Sequence, residues 1–130
     1  MKFRSTVLVT SLAVAALAVA AQASATCSYP KAPEKIPDGS KSTKEEMLAG
    51  MKTMRAYNDL IAKYTECLKV EHDTAVAGID TNLPKEKQDA QKADLDKVQL
   101  QKNDAAVDEA QAVTTRFNDQ IKAFKAAHAN

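Results

Sequence analysis

The 130-residue sequence has no tryptophan, only three glycines and few aromatic side chains. After its apolar N-terminal run it lacks the Val/Ile/Thr-rich alternation of a half-buried strand, so we expect no β-sheet. It also lacks the glycine-rich loop with which nucleotide-binding folds hold phosphates. It has only two histidines, one of them near the C-terminus, so few residues could serve as the base of a nucleophile–His–acid catalytic triad. These absences argue against an enzyme, and we assign no catalytic residue.

The first 25 residues have the organisation of a secretory signal peptide. Lys2 and Arg4 precede an apolar run over residues 7–21, and the small residues of the stretch 21–25 contain an A-x-A cleavage site. This run is too short to span a bilayer comfortably, so we expect no integral membrane segment after cleavage. The sequence therefore predicts a periplasmic or secreted protein.

The mature chain predicted in this way has almost balanced charge. Without Lys2 and Arg4, 16 basic groups remain against 17 acidic ones, a net charge of −1. Such a chain has no electrostatic reason to bind nucleic acid. Its 17 Leu, Ile, Val and Phe residues are few for a globular core, whereas its many alanine, lysine and glutamate residues favour helix. We therefore predict one small all-α domain.

Apolar spacing predicts two long helices joined by a short turn. The first begins at a capping box of the form S-x-x-E over residues 42–45 and ends near Gly78. Pro84 is expected at the first position of the second helix. A break of that helix near Asn103, which would give three helices, is the alternative. Residues 42–130 are thus predicted to form a long antiparallel helical hairpin.

Each predicted helix carries one apolar seam at helical spacing, as in a coiled coil. The first seam consists of Met47, Met51, Met54, Tyr57, Ile61, Tyr64 and Leu68, widened by Leu48, Leu60 and Cys67. The second consists of Ala106, Ala110, Val113, Phe117, Ile121 and Phe124. An antiparallel hairpin brings the two seams together and leaves the polar turn end, residues 70–100, weakly packed.

Prolines dominate residues 26–41, between the signal peptide and the first helix. They exclude helix and favour an extended arm, and the pair Asp38-Gly39 predicts a turn at its end. In an oxidising compartment, Cys27 and Cys67 are expected to form one disulfide. The arm reaches about 50 Å when extended, against about 36 Å along the helix to Cys67. We therefore predict an arm folded back along the first helix, with an intermolecular bridge as the rival.

This region resembles a group of small exported proteobacterial proteins of unknown function. The residues that carry the resemblance lie between 27 and 70: Cys27, the IPDG sequence at 36–39, Glu46-Met47, Tyr57, Tyr64 and Cys67-Leu68. The resemblance implies export and a link between the cysteines of arm and helix. Because that group has no known activity, the resemblance implies no site residues.

Two hypotheses for function follow. The first is a non-enzymatic binding or chaperone-like module for an unknown protein partner, in which Tyr57, Tyr64, Phe117 and Phe124 serve as core or contact anchors. Because an isolated hairpin buries little apolar area, a homodimer is a further option. No cofactor is expected under this hypothesis.

The alternative is a periplasmic copper-binding protein. Met47, Met51 and Met54 lie on one helix face, and exported copper-handling proteins use such thioethers to bind Cu(I). Their spacing is also that of the apolar seam, where methionines fill gaps in a core. The stretch 71–73, Glu-His-Asp, contains three ligand types, but consecutive helical residues point in different directions. We interpret that stretch as a solvated charged turn.

Export leads to the first testable prediction. Mass spectrometry of the exported protein should show an N-terminus within residues 24–27, because signal peptidase cleaves after small residues. The new N-terminus should carry no acyl group. Recovery of chains that still begin at Met1 from the exported fraction would contradict the signal-peptide interpretation.

Overall fold

The computed structural model describes residues 26–129, which form an extended arm and two antiparallel helices. α1 spans Lys44–Ala77 and α2 spans Lys85–Ala127. Within the described residues there is no strand, and the predicted all-α hairpin is confirmed. α2 continues through Asn103 without a break, so the three-helix alternative is wrong. The predicted signal peptide, residues 1–25, lies outside the described residues.

α1 begins with a capping box that lies one residue later than predicted. The Thr43 hydroxyl accepts from the Glu46 amide at 3.2 Å, and the Glu46 carboxylate accepts from the Thr43 amide at 2.7 Å. Ser42 belongs instead to the preceding turn, where its amide donates to the Asp38 carbonyl at 2.8 Å. Because this turn holds Ser42, the next hydroxyl along the chain serves as the cap.

The turn between the helices is closed by backbone and side-chain hydrogen bonds. Gly78 ends α1 as predicted, and its amide donates to the Thr74 carbonyl at 3.1 Å. Pro84 is the N-cap of α2, so the helix begins at Lys85, one residue later than expected. Proline offers no side-chain acceptor, and the Gln88 amide group instead donates to the carbonyls of Thr81 and Leu83, at 3.2 and 2.7 Å. Gln88 thereby links the inter-helix loop to the first helical turn of α2.

The core is a narrow row of side chains between α1 and α2. Nine are buried: Met47, Met54, Tyr57, Ile61, Tyr64, Leu68, Ala106, Val113 and Phe117. Met51, Ala110, Ile121 and Phe124 pack against this row while partly buried. The two predicted seams therefore meet. Leu48 and Leu60, which were expected to widen the first seam, are instead about half exposed, because they lie outside the stripe of α1 that faces α2.

The arm folds back as predicted and forms a third layer over the helices. A disulfide joins Cys27 to Cys67 within the chain, with Cα atoms 5.8 Å apart. The Tyr29 ring meets the Tyr64 ring edge-on at 5.1 Å, and its hydroxyl donates to the Glu109 carboxylate of α2 at 2.5 Å. The N-terminal end of the arm is therefore held to both helices.

Two glycines allow the other end of the arm to approach the helices closely. The Gly39 amide donates to the side-chain oxygen of Gln120 at 2.9 Å, and a Cβ at Gly39 would lie 1.8 Å from the Gln120 carbonyl oxygen. A Cβ at Gly50 would lie 2.7 Å from the Pro37 ring and 2.9 Å from the Phe117 ring. Because Gly50 has no side chain, Pro37 can pack between α1 and Phe117, and because Gly39 has none, the arm can approach the backbone of α2.

Substitution of Gly39 tests this close approach. Gly39→Ala should lower the free energy of unfolding by about 1–3 kcal/mol, because the new methyl group overlaps backbone atoms of α2. Gly78→Ala is the matched control: its Cβ would make ordinary contacts at 3.5 and 3.6 Å. That variant should be unchanged or more stable by up to about 1 kcal/mol. Urea unfolding followed by circular dichroism measures both, and equal effects would contradict the packing described.

Candidate functional site: an uncharged groove between the helices

A two-helix hairpin has a groove on each side, and here the arm fills one of them. On α2 the arm contacts Glu109 and Gln120. Thr114 is five residues from Glu109, which places it about 140° around the helix axis and away from the arm. The groove on this second side, which we call the open groove, has no arm residue in its wall. It is lined by Asn58, Ile61, Val107, Ala110, Gln111, Thr114 and Thr115.

The open groove encloses about 380 Å³, and none of its seven lining side chains is charged. Over the whole chain 27% of residues are charged, so a partner that docks here avoids the desolvation of charge it would meet on other surfaces. Ala110, Thr114 and Thr115 are small, which lets another backbone approach closely. Asn58 and Gln111 supply amide donors and acceptors. The groove is suited to binding a neutral surface and carries no acid or base for catalysis.

Only part of this groove was predictable from the sequence. Ile61 and Ala110 were assigned to the seams, whereas Val107 and Thr114 were not singled out. The signal that would have found them is their spacing of seven residues, which places both on one helix face. That face is recognisable as a binding surface only once the arm is known to cover the opposite side.

On the arm side, a cluster of tyrosines holds the layers together. The hydrogen bond to Glu109 raises the pKa of the Tyr29 hydroxyl to about 12, and burial raises the pKa of Tyr57. Both groups therefore stay protonated at neutral pH and are poor bases or nucleophiles. The buried Tyr57 hydroxyl has no hydrogen-bond partner within residues 26–129. This cluster closes the arm on the hairpin and has no catalytic geometry.

The methionines of the copper hypothesis lie in and beside the core. Met47 and Met54 are 7% and 6% exposed and belong to the buried row. Met51 is partly buried, and its sulfur accepts a hydrogen bond from the Arg55 guanidinium at 3.6 Å. A Cu(I) ion on this face would displace core packing and lie near a fixed positive charge. The geometry favours a packing role for these thioethers.

The charged stretch 71–73 differs from the solvated turn that the sequence predicted. His72 Nε2 lies 2.6 Å from the Asp96 carboxylate, and the Lys102 ammonium donates to Glu71 at 3.0 Å, both across the hairpin. The His72 side chain is only 14% exposed. Beside these groups is a cavity of about 50 Å³. These pairs join α1 to α2 where the apolar seam is thin, so the turn end is less weakly connected than expected.

Neither a metal site nor a known relative assigns a function to the described residues. Among residues 26–129, no group of three His, Cys, Asp or Glu side chains is placed to hold a metal ion. In the same part of the chain, neither helix is apolar enough over sufficient length to cross a membrane. No protein-family model, curated protein or solved structure matches this chain. The resemblance to the exported proteobacterial group therefore stays a prediction.

The carboxylate of Asp96 makes stability depend on pH. Hydrogen bonds from Lys92 and, to a smaller extent, His72 lower the pKa of Asp96 below its ordinary value of 3.8. The ionised carboxylate therefore stabilises the fold above about pH 4, and this contribution is lost as the pH falls through the lowered pKa. Asp96→Asn should be less stable than wild type near neutral pH, and the difference should shrink at lower pH.

Thermal unfolding at a series of pH values measures this difference. Asp104→Asn is the matched control, because Asp104 is exposed and belongs to none of the ion pairs within residues 26–129. It should follow the wild-type curve throughout. A destabilisation by Asp96→Asn that stayed constant from neutral to acid pH would contradict the assigned role of the carboxylate.

Proposed function

We propose that this chain is an exported, non-enzymatic module that binds a protein partner through the open groove. The observation that carries the proposal is the uncharged wall of that groove, from Asn58 to Thr115, in a chain of which 27% of the residues are charged. The Cys27–Cys67 disulfide supports export, because such bonds persist in oxidising compartments.

The architecture is suited to a rigid binding surface. At one end Pro37 and Gly39 of the arm pack against the helices, and at the other end the disulfide at Cys67 and the His72–Asp96 and Glu71–Lys102 pairs connect the layers. The groove lies between these two sets of contacts. Its walls are therefore preorganised, and a partner need not lose affinity to order them.

The shape of the groove favours a helical partner segment. On α2 its lining residues run from Val107 to Thr115, about 12 Å of helix or two turns. A third helix laid between two others presents side chains at i, i+3, i+4 and i+7 to such a groove. Because the wall is uncharged and its side chains are small, the best-fitting segment has a neutral apolar face with small residues at the closest approach.

Photo-crosslinking in the exporting cell tests this function. With a photoreactive residue at Gln111, irradiation should yield one discrete crosslinked species if a partner occupies the groove. Thr114→Lys places a charge in the uncharged wall and should reduce the yield by about tenfold, since a buried unpaired charge costs more than about 1.4 kcal/mol. Asp104→Lys, on exposed surface outside the groove, should leave the yield unchanged. Crosslinking that survives Thr114→Lys, or fails to occur at all, would contradict the proposal.

A further inference from the structure

A different groove opens directly onto the disulfide. It encloses about 480 Å³ where the arm meets α1, and we call it the disulfide groove. Its wall includes Tyr29, Lys31, Leu60, Lys63, Tyr64 and Cys67. Cys67 lines this groove, whereas Cys27 does not. A molecule in this groove therefore lies against Cys67, the cysteine on the helix, and not against Cys27 of the arm.

Positive charge and apolar surface surround that sulfur. Lys63 precedes Cys67 by four residues, so the two side chains are neighbours on one helix face. Lys31 pairs with Glu34, but Lys63 forms no ion pair within residues 26–129. Leu60 is about half exposed at the same edge. The groove is thus complementary to an anionic molecule of peptide size that has some apolar surface.

We propose that the Cys27–Cys67 disulfide is exchangeable, and that the thiolate of an anionic peptide thiol attacks it at Cys67 from this groove. The thiolate forms a new S–S bond with Cys67 Sγ while the Cys27–Cys67 bond breaks. The displaced electron pair leaves on Cys27 Sγ, which takes a proton from water. A second thiol then attacks the mixed disulfide, frees Cys67 as a thiolate and leaves as the oxidised dimer of the peptide thiol. Lys63 attracts the anionic reagent and stabilises thiolate character beside the bond.

The consequence is a partial release of the arm. Exchange removes the covalent tie at Cys27, but it leaves Pro37 packed against Gly50 and Gly39 hydrogen-bonded to Gln120. The N-terminal half of the arm can then leave Tyr64 while the hairpin stays folded. This inference goes beyond the proposed function and is independent of it, since the open groove is on the other side of the hairpin.

Peptide mapping of a trapped intermediate tests the direction of attack. The folded, oxidised chain is treated with excess glutathione, quenched with iodoacetamide at early times and digested. The first product should carry glutathione on Cys67 and the alkyl group on Cys27. A first product with glutathione mainly on Cys27 would overturn the proposal. So would exchange that occurs only at urea concentrations that unfold the helices.

Rate measurements test the charged groove. Lys63→Glu should slow exchange with glutathione by about tenfold, because the variant repels the anion. Exchange with β-mercaptoethanol should slow less, by about threefold, because its attacking thiolate carries one negative charge and that of glutathione carries two. Lys52→Glu is the matched control, since it makes the same charge change on α1 at a residue that does not line the groove. Equal slowing with both thiols, or with both variants, would overturn the role given to Lys63.

Discussion

The bond between Cys27 and Cys67 closes a loop of 40 residues. The core that this bond supports is only one row of side chains wide. In the chain-entropy account, a loop of this length contributes roughly 4 kcal/mol by restricting the unfolded chain. That is comparable with the whole stability of many small domains. Two helices with nine buried side chains between them have little else to offset the entropy of ordering. The arm, its prolines and its contacts with α2 are therefore part of what makes the hairpin a folded domain.

Different interactions hold the arm-covered part of the hairpin and its turn end. Near the arm, apolar contacts of Tyr64, Phe117 and Pro37 are reinforced by the covalent tie. Near the turn, the His72–Asp96 and Glu71–Lys102 hydrogen-bonded pairs bridge the helices, and Asp96, Glu71 and Lys102 are partly exposed. Exposed ion pairs contribute little and weaken with salt, so the turn end is the softer half, where local opening costs least. The open groove, with Asn58 and Ile61 in its wall, lies on the other side of Cys67 from this softer half, beside the part of the hairpin that the arm covers.

Much of this fold was predictable, because the relevant signals are local in the sequence. Apolar spacing located both seams, and Gly78 and Pro84 bounded the turn to within one residue. The capping box was placed one residue early because two adjacent hydroxyls each precede a glutamate by three positions, and only the turn at Asp38 decides between them. Other features depend on the register between distant segments. Nothing in the sequence around Gly50 shows that Pro37 and Phe117 pack against it in the fold. The register between the helices likewise places His72 opposite Asp96.

The arm also determines how the protein can associate. A hairpin without the arm would present an apolar groove on each side. Two separate binding surfaces on one molecule favour open-ended assembly over a closed oligomer. With Tyr29 and Pro37 seated on one side, the open groove on the other side presents an uncharged surface between the helices that no residue of the arm over 26–43 covers. A single such face supports a discrete complex. It follows that an event that releases Cys27 changes more than stability, because it gives the molecule a second face and with it a different mode of association.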